Sequence, residues 1–146
     1  MIADRSQNIR DRTFNFGCRV ARLSLSLAPQ PGVRCLVDQL LKSGTAVGAN
    51  LEEAKAGSSK REFVRFVEIS LREARETVYW LRICIALKLG SVAEVEDLRS
   101  EGEQIARILG AIVVSAKQQL QPGCSVCILH FAFCITHAVG AASRVE

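Results

Sequence analysis

Val33, Leu36, Val37, Leu40, Gly44, Val47, Leu51 and Ala54 recur every three or four positions, the spacing of one buried stripe on an α-helix. Ser43, Gly44, Thr45, Ala46, Gly48 and Ala49 leave the flanks of this helix nearly bare, so neighbours can approach it closely on more than one side. The same period runs through three further segments. The first holds Ile9, Thr13, Phe16, Val20, Leu23 and Leu27; the third Phe63, Val67, Ser70, Ala74, Val78, Leu81 and Ile85; the fourth Leu98, Ile105, Leu109, Ile112 and Ala116. The pattern predicts helices over residues 8–28, 33–56, 60–89 and 92–120.

The breaks between them carry their own signals. Pro29, Pro31 and Gly32 interrupt the first junction. Gly57 is expected in the left-handed position that ends the second helix, and Ser59 with Glu62 forms a capping box opening the third. Gly90 and Ser91 with Glu94 repeat the device at the last junction. Connections this short make consecutive helices antiparallel, which gives an all-α, up-down-up-down four-helix bundle over residues 1–121. Pro122-Gly123 closes the bundle, and residues 122–146 form a hydrophobic, Cys/His-containing C-terminal extension.

The first helix has a second apolar set. Phe14, Cys18, Ala21 and Leu25 are spaced 4, 3 and 4 apart and point away from the first stripe, so one core cannot bury both. Single exposed apolar groups are ordinary, but aligned ones form a patch that monomers avoid, and the set reads as the interface of a homo-oligomer.

Composition adds a compartment and a charge pattern. A chain of 146 residues, 49% hydrophobic and 23% charged, suits one globular domain. Its N-terminal residues lack the apolar run of a signal peptide, and Cys18, Cys35 and Cys84 are scattered singly, as reduced thiols are; a cytoplasmic protein is expected. The net charge of +4 is unevenly spread. Up to Arg61 there are ten Lys/Arg against five Asp/Glu; from Glu62 to Gln119 there are eight against nine. Arg12, Arg19 and Arg22 share a flank of the first helix, with Arg5 and Arg10 before them and Lys42, Lys55, Lys60 and Arg61 in the same half. This makes Arg12, Arg19, Arg22 and Lys42 the candidate nucleic-acid contacts. Without a groove-entering motif or stacking aromatics, such binding is expected to be phosphate-directed and weakly specific.

Other chemistries find less support. His130 and His137 both lie beyond Pro122, so no Ser-His or Cys-His arrangement forms within the helices. Glu52-Glu53 and Glu73 with Glu76 lack the Glu-x-x-His partners of a di-iron bundle, and no glycine-rich phosphate loop follows a strand. Cys124, Cys127, His130, Cys134 and His137 have short spacing, but Ile-Leu-His-Phe-Ala-Phe between them lacks the turn residues of a zinc knuckle. Residues 126–142 make an apolar run of about 17, at the bottom of the membrane-spanning range, with two histidines inside. No enzyme, metal, cofactor or membrane partner is therefore expected.

A further set of residues is similar to a known family. Arg12-Thr-Phe14 with Phe16, Gln39-Leu40, Lys42-Ser-Gly-Thr45, Val47-Gly-Ala-Asn-Leu-Glu-Glu-Ala54, Glu62-Phe63, Leu71, Glu73-Ala-Arg-Glu-Thr77 and Tyr79-Trp-Leu81 resemble the bacterial four helix bundle protein family. That group includes proteins encoded in intervening sequences of large-subunit ribosomal RNA genes. The likeness runs over residues 2–117. It implies a bundle that assembles into a ring, typically a homopentamer, with no known enzymatic activity. A similar branch, the accessory protein of diversity-generating retroelements, implies nucleic acid and a reverse transcriptase as partners. Phe66 and Glu68 stand where the family often has basic residues, which argues against the third helix as a phosphate surface. Gln39, Ser43 and Asn50 form a polar strip that can hydrogen-bond a neighbouring helix or subunit. The alternative is a structural oligomer that binds a protein partner and no nucleic acid.

Overall fold

The four apolar stripes become four helices: α1 (Ile9–Leu27), α2 (Arg34–Ala56), α3 (Lys60–Ala86) and α4 (Val92–Gln118). The structure is a computed structural model in which residues 9–120 are described, and no strand occurs among them. The extension from Pro122, with its five Cys and His residues, lies outside the described residues.

Cross-helix bonds show the antiparallel order. Arg10 at the start of α1 meets Glu52 near the end of α2, Ser70 of α3 donates to the Val47 carbonyl of α2 at 2.7 Å, and Lys117 at the end of α4 meets Glu68 early in α3. Phe16, Val20, Leu23, Leu27, Leu40, Val47, Leu81, Leu98, Ile105 and Leu109 are almost wholly removed from water and form the core. Fully burying such side chains stabilises by roughly 1.5–3 kcal/mol each before the chain entropy is set against it.

The small residues of α2 let its neighbours in on both sides. A Cβ on Gly44 would sit 2.4 Å from Val20 Cγ1, and one on Gly17 would sit 3.4 Å from the Gly44 carbonyl oxygen, so α1 and α2 pack backbone against backbone. On the other side Ser43 of the expected polar strip reaches α3: its Oγ is 3.1 Å from Thr77 Oγ1, which donates to the Glu73 carbonyl at 2.8 Å. Asn50 instead bonds the Ala46 carbonyl of its own helix, and Gln39 is exposed.

This close fit turns α3. The buried residues are Val64, Val67, Ser70, Ala74, Thr77, Leu81 and Cys84, whereas Val78 and Ile85 of the expected stripe are half-buried. Thr77 and Cys84 lie on the flank toward α2, Val78 and Ile85 on the flank toward α4. Phe63 is half-buried for another reason: it borders a cavity at the end of the bundle.

The helix ends differ in part from expectation. Ser59 does cap α3, its Oγ accepting from the Glu62 N–H at 3.2 Å, but the Glu62 carboxylate returns to the Ser58 N–H at 2.9 Å. Gly57 is not left-handed: at φ −59°, ψ 142° it turns the chain out of α2 two residues before the extended Ser59 that caps α3. Ser91 makes no side-chain cap bond. Helix α3 stops at Ala86, short of the expected 89, in a Schellman turn whose left-handed residue is Lys88 at φ 55°. There the Leu89 N–H bonds the Cys84 carbonyl at 2.9 Å and the Lys88 N–H the Ile85 carbonyl at 3.0 Å. Gly90 is also left-handed, at φ 75°, but lies beyond the stop.

Candidate functional site

The bundle brings the basic half of the sequence against the acidic first half of α4. The Arg12 guanidinium holds the Glu101 carboxylate with two bonds, Nε to Oε1 at 2.6 Å and Nη2 to Oε2 at 2.8 Å, and donates a third to Gln104 Oε1 at 2.7 Å. Both ion-pair partners are half-buried at 22% exposure. The carboxylate hydrogen bond raises the Arg12 pKa above its ordinary value, against the opposing effect of burial. Arg19 pairs with Asp97 of α4, and Arg10 with Glu52, whose carboxyl is held below the usual range by that contact. Arg22 is exposed with no ion pair among the described residues. Lys42 is exposed on α2 toward α3, where its charge partly counters the upward push that burial and Glu76 give the Glu73 carboxyl. The four expected nucleic-acid contacts thus do not share one surface. Arg12 and Arg19 reach α4 in ion pairs, Arg22 is exposed on α1, and Lys42 lies on α2 toward α3.

A different row of cations lies elsewhere on the bundle. On α3, Arg61, Arg65, Arg72, Arg75 and Arg82 are all exposed and fall within a sector of about 100° on the helix surface. None has an ion pair among the described residues. The residues that argued against this helix are accounted for: Glu68 is bonded to Lys117, and Phe66 is half-buried under the Arg65 guanidinium, 5.9 Å above its ring centroid. The row is charge-patterned at the helical spacing, a signal open to the same reading that found the core.

Beside the row runs the seam between α3 and α4, left shallow by the turn of α3. One depression of about 310 Å³ is lined by Arg75, Val78, Ala106 and Arg107, with Glu103 at its edge. A second, of about 390 Å³, is lined by Val78, Arg82 and Ile85. The carboxylates along this seam, Glu96 and Glu103, are both bonded to Arg99, whose pKa they raise. Tyr79 is 54% exposed within the arginine row. It is an available aromatic surface that the sequence reading did not single out.

The interface set of α1 is split by exposure. Phe14 and Leu25 are 68% and 69% exposed, while Cys18 and Ala21 are half-buried. At the end of the bundle an apolar cavity of about 380 Å³ is lined by Ile9, Leu51, Ala54, Phe63, Val67 and Ile112. Among the described residues no group of three or more His, Cys, Asp or Glu converges on a metal position. Burial raises the Cys84 thiol above its ordinary pKa, which keeps it protonated and unreactive. No described helix is long and apolar enough to cross a membrane.

Comparison with known proteins agrees with this architecture. A solved protein of unknown function from the S23 ribosomal protein family of Bacteroides thetaiotaomicron is 30% identical to the chain. It superposes with a TM-score of 0.68 over 72% of this chain and 97% of its own. No curated protein matches. Neither the matching family nor the solved relative is described by an enzymatic activity. The stretch that matches at family level, residues 5–111, takes in α1 to α3 and most of α4, and by it the chain belongs to the 23S rRNA-intervening sequence protein family.

Proposed function

We propose that this chain is a non-enzymatic, oligomeric accessory protein that binds nucleic acid by its phosphates, with α3 as the contact surface. The observation that carries the reading is the row of five exposed arginines without an ion pair among the described residues. Exposed guanidinium groups on one face are the footprint of phosphate binding, because each neutralised phosphate releases condensed counterions. The description of the family as a 23S rRNA-intervening sequence protein, and of the solved relative as a member of a ribosomal protein family, supports nucleic acid as the ligand class. The arrangement offers contacts to phosphates and none to base edges in a groove, so little sequence preference follows.

Phe14 and Leu25 favour self-association. Two large apolar side chains on the outward face of α1 are covered when copies of the bundle meet there, and a ring closes such a surface without forming filaments. Every copy then repeats the arginine row, turning a weak patch into a multivalent one.

The test is retention of labelled RNA and DNA by the purified chain across a salt series. Binding falls steeply with salt, with a slope near −0.9 per phosphate neutralised on duplex DNA. Changing Arg72, Arg75 and Arg82 together to Glu abolishes retention and leaves the helical content intact. A wild-type chain that retains neither nucleic acid at low salt refutes the reading in favour of a protein-binding oligomer.

A further inference from the structure

We infer that the α3 face takes single-stranded rather than duplex nucleic acid, with a base stacked on Tyr79; the inference rests on the phosphate-binding role given to the row. Tyr79 stands four residues after Arg75, seven after Arg72 and three before Arg82, so all four project from the same side of the helix. Tyr79 is 54% exposed, and its ring meets that of Trp80 in a T-shaped contact, the centroids 5.1 Å apart and the planes at 71°. Trp80 is fixed in turn, its indole N–H donating to Glu76 Oε1 at 3.1 Å. An aromatic ring open to solvent among unpaired guanidinium groups is the combination by which proteins hold single strands: cations follow the backbone and the ring receives a base face.

The shape of the surface keeps it out of a duplex groove and leaves a duplex only phosphate contacts. A duplex keeps its base faces stacked inside, where Tyr79 cannot reach them, and admits a helix only into a major groove about 12 Å wide. Here α3 is packed between α2 and α4, at the 8–10 Å spacing usual for helices, so the face is too broad to enter that groove. From Arg61 to Arg82 the row is about 32 Å long at 1.5 Å per residue, enough for a strand of several nucleotides. The two depressions that share Val78 offer apolar floors to neighbouring sugars and bases, with Arg75, Arg82, Arg99 and Arg107 at their sides and the carboxylates Glu96 and Glu103 there bonded to Arg99.

Fluorescence anisotropy with a labelled 20-nucleotide single strand and with its duplex, at one low salt concentration, tests the inference. The wild-type chain binds the single strand at least about tenfold more tightly, and Tyr79→Ala weakens that binding about tenfold. Tyr79→Ala leaves duplex binding and the salt slope unchanged, because neither depends on stacking. Tyr79→Phe, which keeps the ring and loses the hydroxyl, binds like wild type. Equal affinity for strand and duplex, or a Tyr79→Ala variant that binds the strand as tightly as wild type, overturns the inference while leaving phosphate binding in place. A wild-type chain that binds neither probe overturns the proposed function itself, and the inference with it.

Discussion

Replacing Arg12 separates two roles that the sequence joins in one residue: a phosphate contact on α1 and a tie between α1 and α4. Arg12→Met keeps most of the aliphatic stem and removes the guanidinium. The lost group makes two bonds to Glu101 and one to Gln104, and at 22% exposure the pair sits between the exposed and buried limits. Exposed pairs contribute about 0.2–1 kcal/mol, whereas stripping one partner from a buried pair costs about 3–5, so a loss near 2 kcal/mol follows. Arg12→Glu places a second carboxylate against Glu101 and costs more. At roughly 4 °C per kcal/mol for a chain of this size, Arg12→Met lowers Tm by about 8 °C. The comparison is made at one fixed protein concentration, because any self-association would make Tm concentration-dependent. Exchanging both groups, Arg12→Glu with Glu101→Arg, recovers part of the loss, while Arg19→Met changes Tm little because Asp97 is 70% exposed. The assay is thermal unfolding by circular dichroism, paired with nucleic-acid anisotropy on the same preparations. Arg12→Met melts earlier and binds unchanged. A variant that melts like wild type but loses binding would show that the guanidinium serves phosphates, and the assignment of the surface to α3 would fall.

Lys88→Gly raises stability by about 0.5–1 kcal/mol in urea titration, since a left-handed L-residue costs about 1–2 kcal/mol and glycine gives part of that back through its freer unfolded chain. Glu73→Gln raises Tm at neutral pH: burial lifts the folded-state pKa of Glu73, so ionisation there opposes folding, and the advantage fades as pH falls through that raised value. A Tm gap that widens in acid contradicts this sign. Leu25→Glu yields a smaller species than wild type in light scattering after size exclusion, and an unchanged mass removes α1 from the interface. A chain ending at Gln121 keeps its helical content and cooperative melt, because the core of the four helices is complete by Val113.

The buried stripe of α1 was legible because periodicity alone selects it, and on α2 the stripe holds from Val37 to Ala54 while Val33 and Leu36 are half-buried. On α1 all six expected residues are buried, with Gly17 and Ser24 added where α2 comes close. On α3 the same method misplaces Val78 and Ile85, since the turn of that helix depends on how near α2 can come. That distance is set by Ser43 and Gly44 on another segment of chain. Helix ends show the same limit. The cap at Ser59 is local and was readable, whereas the Schellman stop at Lys88 uses a residue that no turn preference would choose.

A charge balance along the sequence does not show which charges pair, for a physical reason. A balance taken over sequence halves treats charge as a property of a line, but folding lays the acidic start of α4 beside α1 and converts Arg12 and Arg19 from a free patch into ion pairs. The second half, with its slight acidic balance, contains opposite charges aimed in different directions. Glu101 and Asp97 turn to α1, Glu96 and Glu103 bind Arg99, and Glu68 binds Lys117. On α3 five arginines remain outward without an ion pair among the described residues, with Glu76, bonded to Trp80, at the edge of their sector. The periodicity that selects a core also sorts charges by face, so projecting residues 61–82 around a helix would have found Arg61, Arg65, Arg72, Arg75 and Arg82 together from the sequence. Which of the paired arginines folding would neutralise could not be found that way, because their partners are supplied by α4, 78 and 89 positions away along the chain.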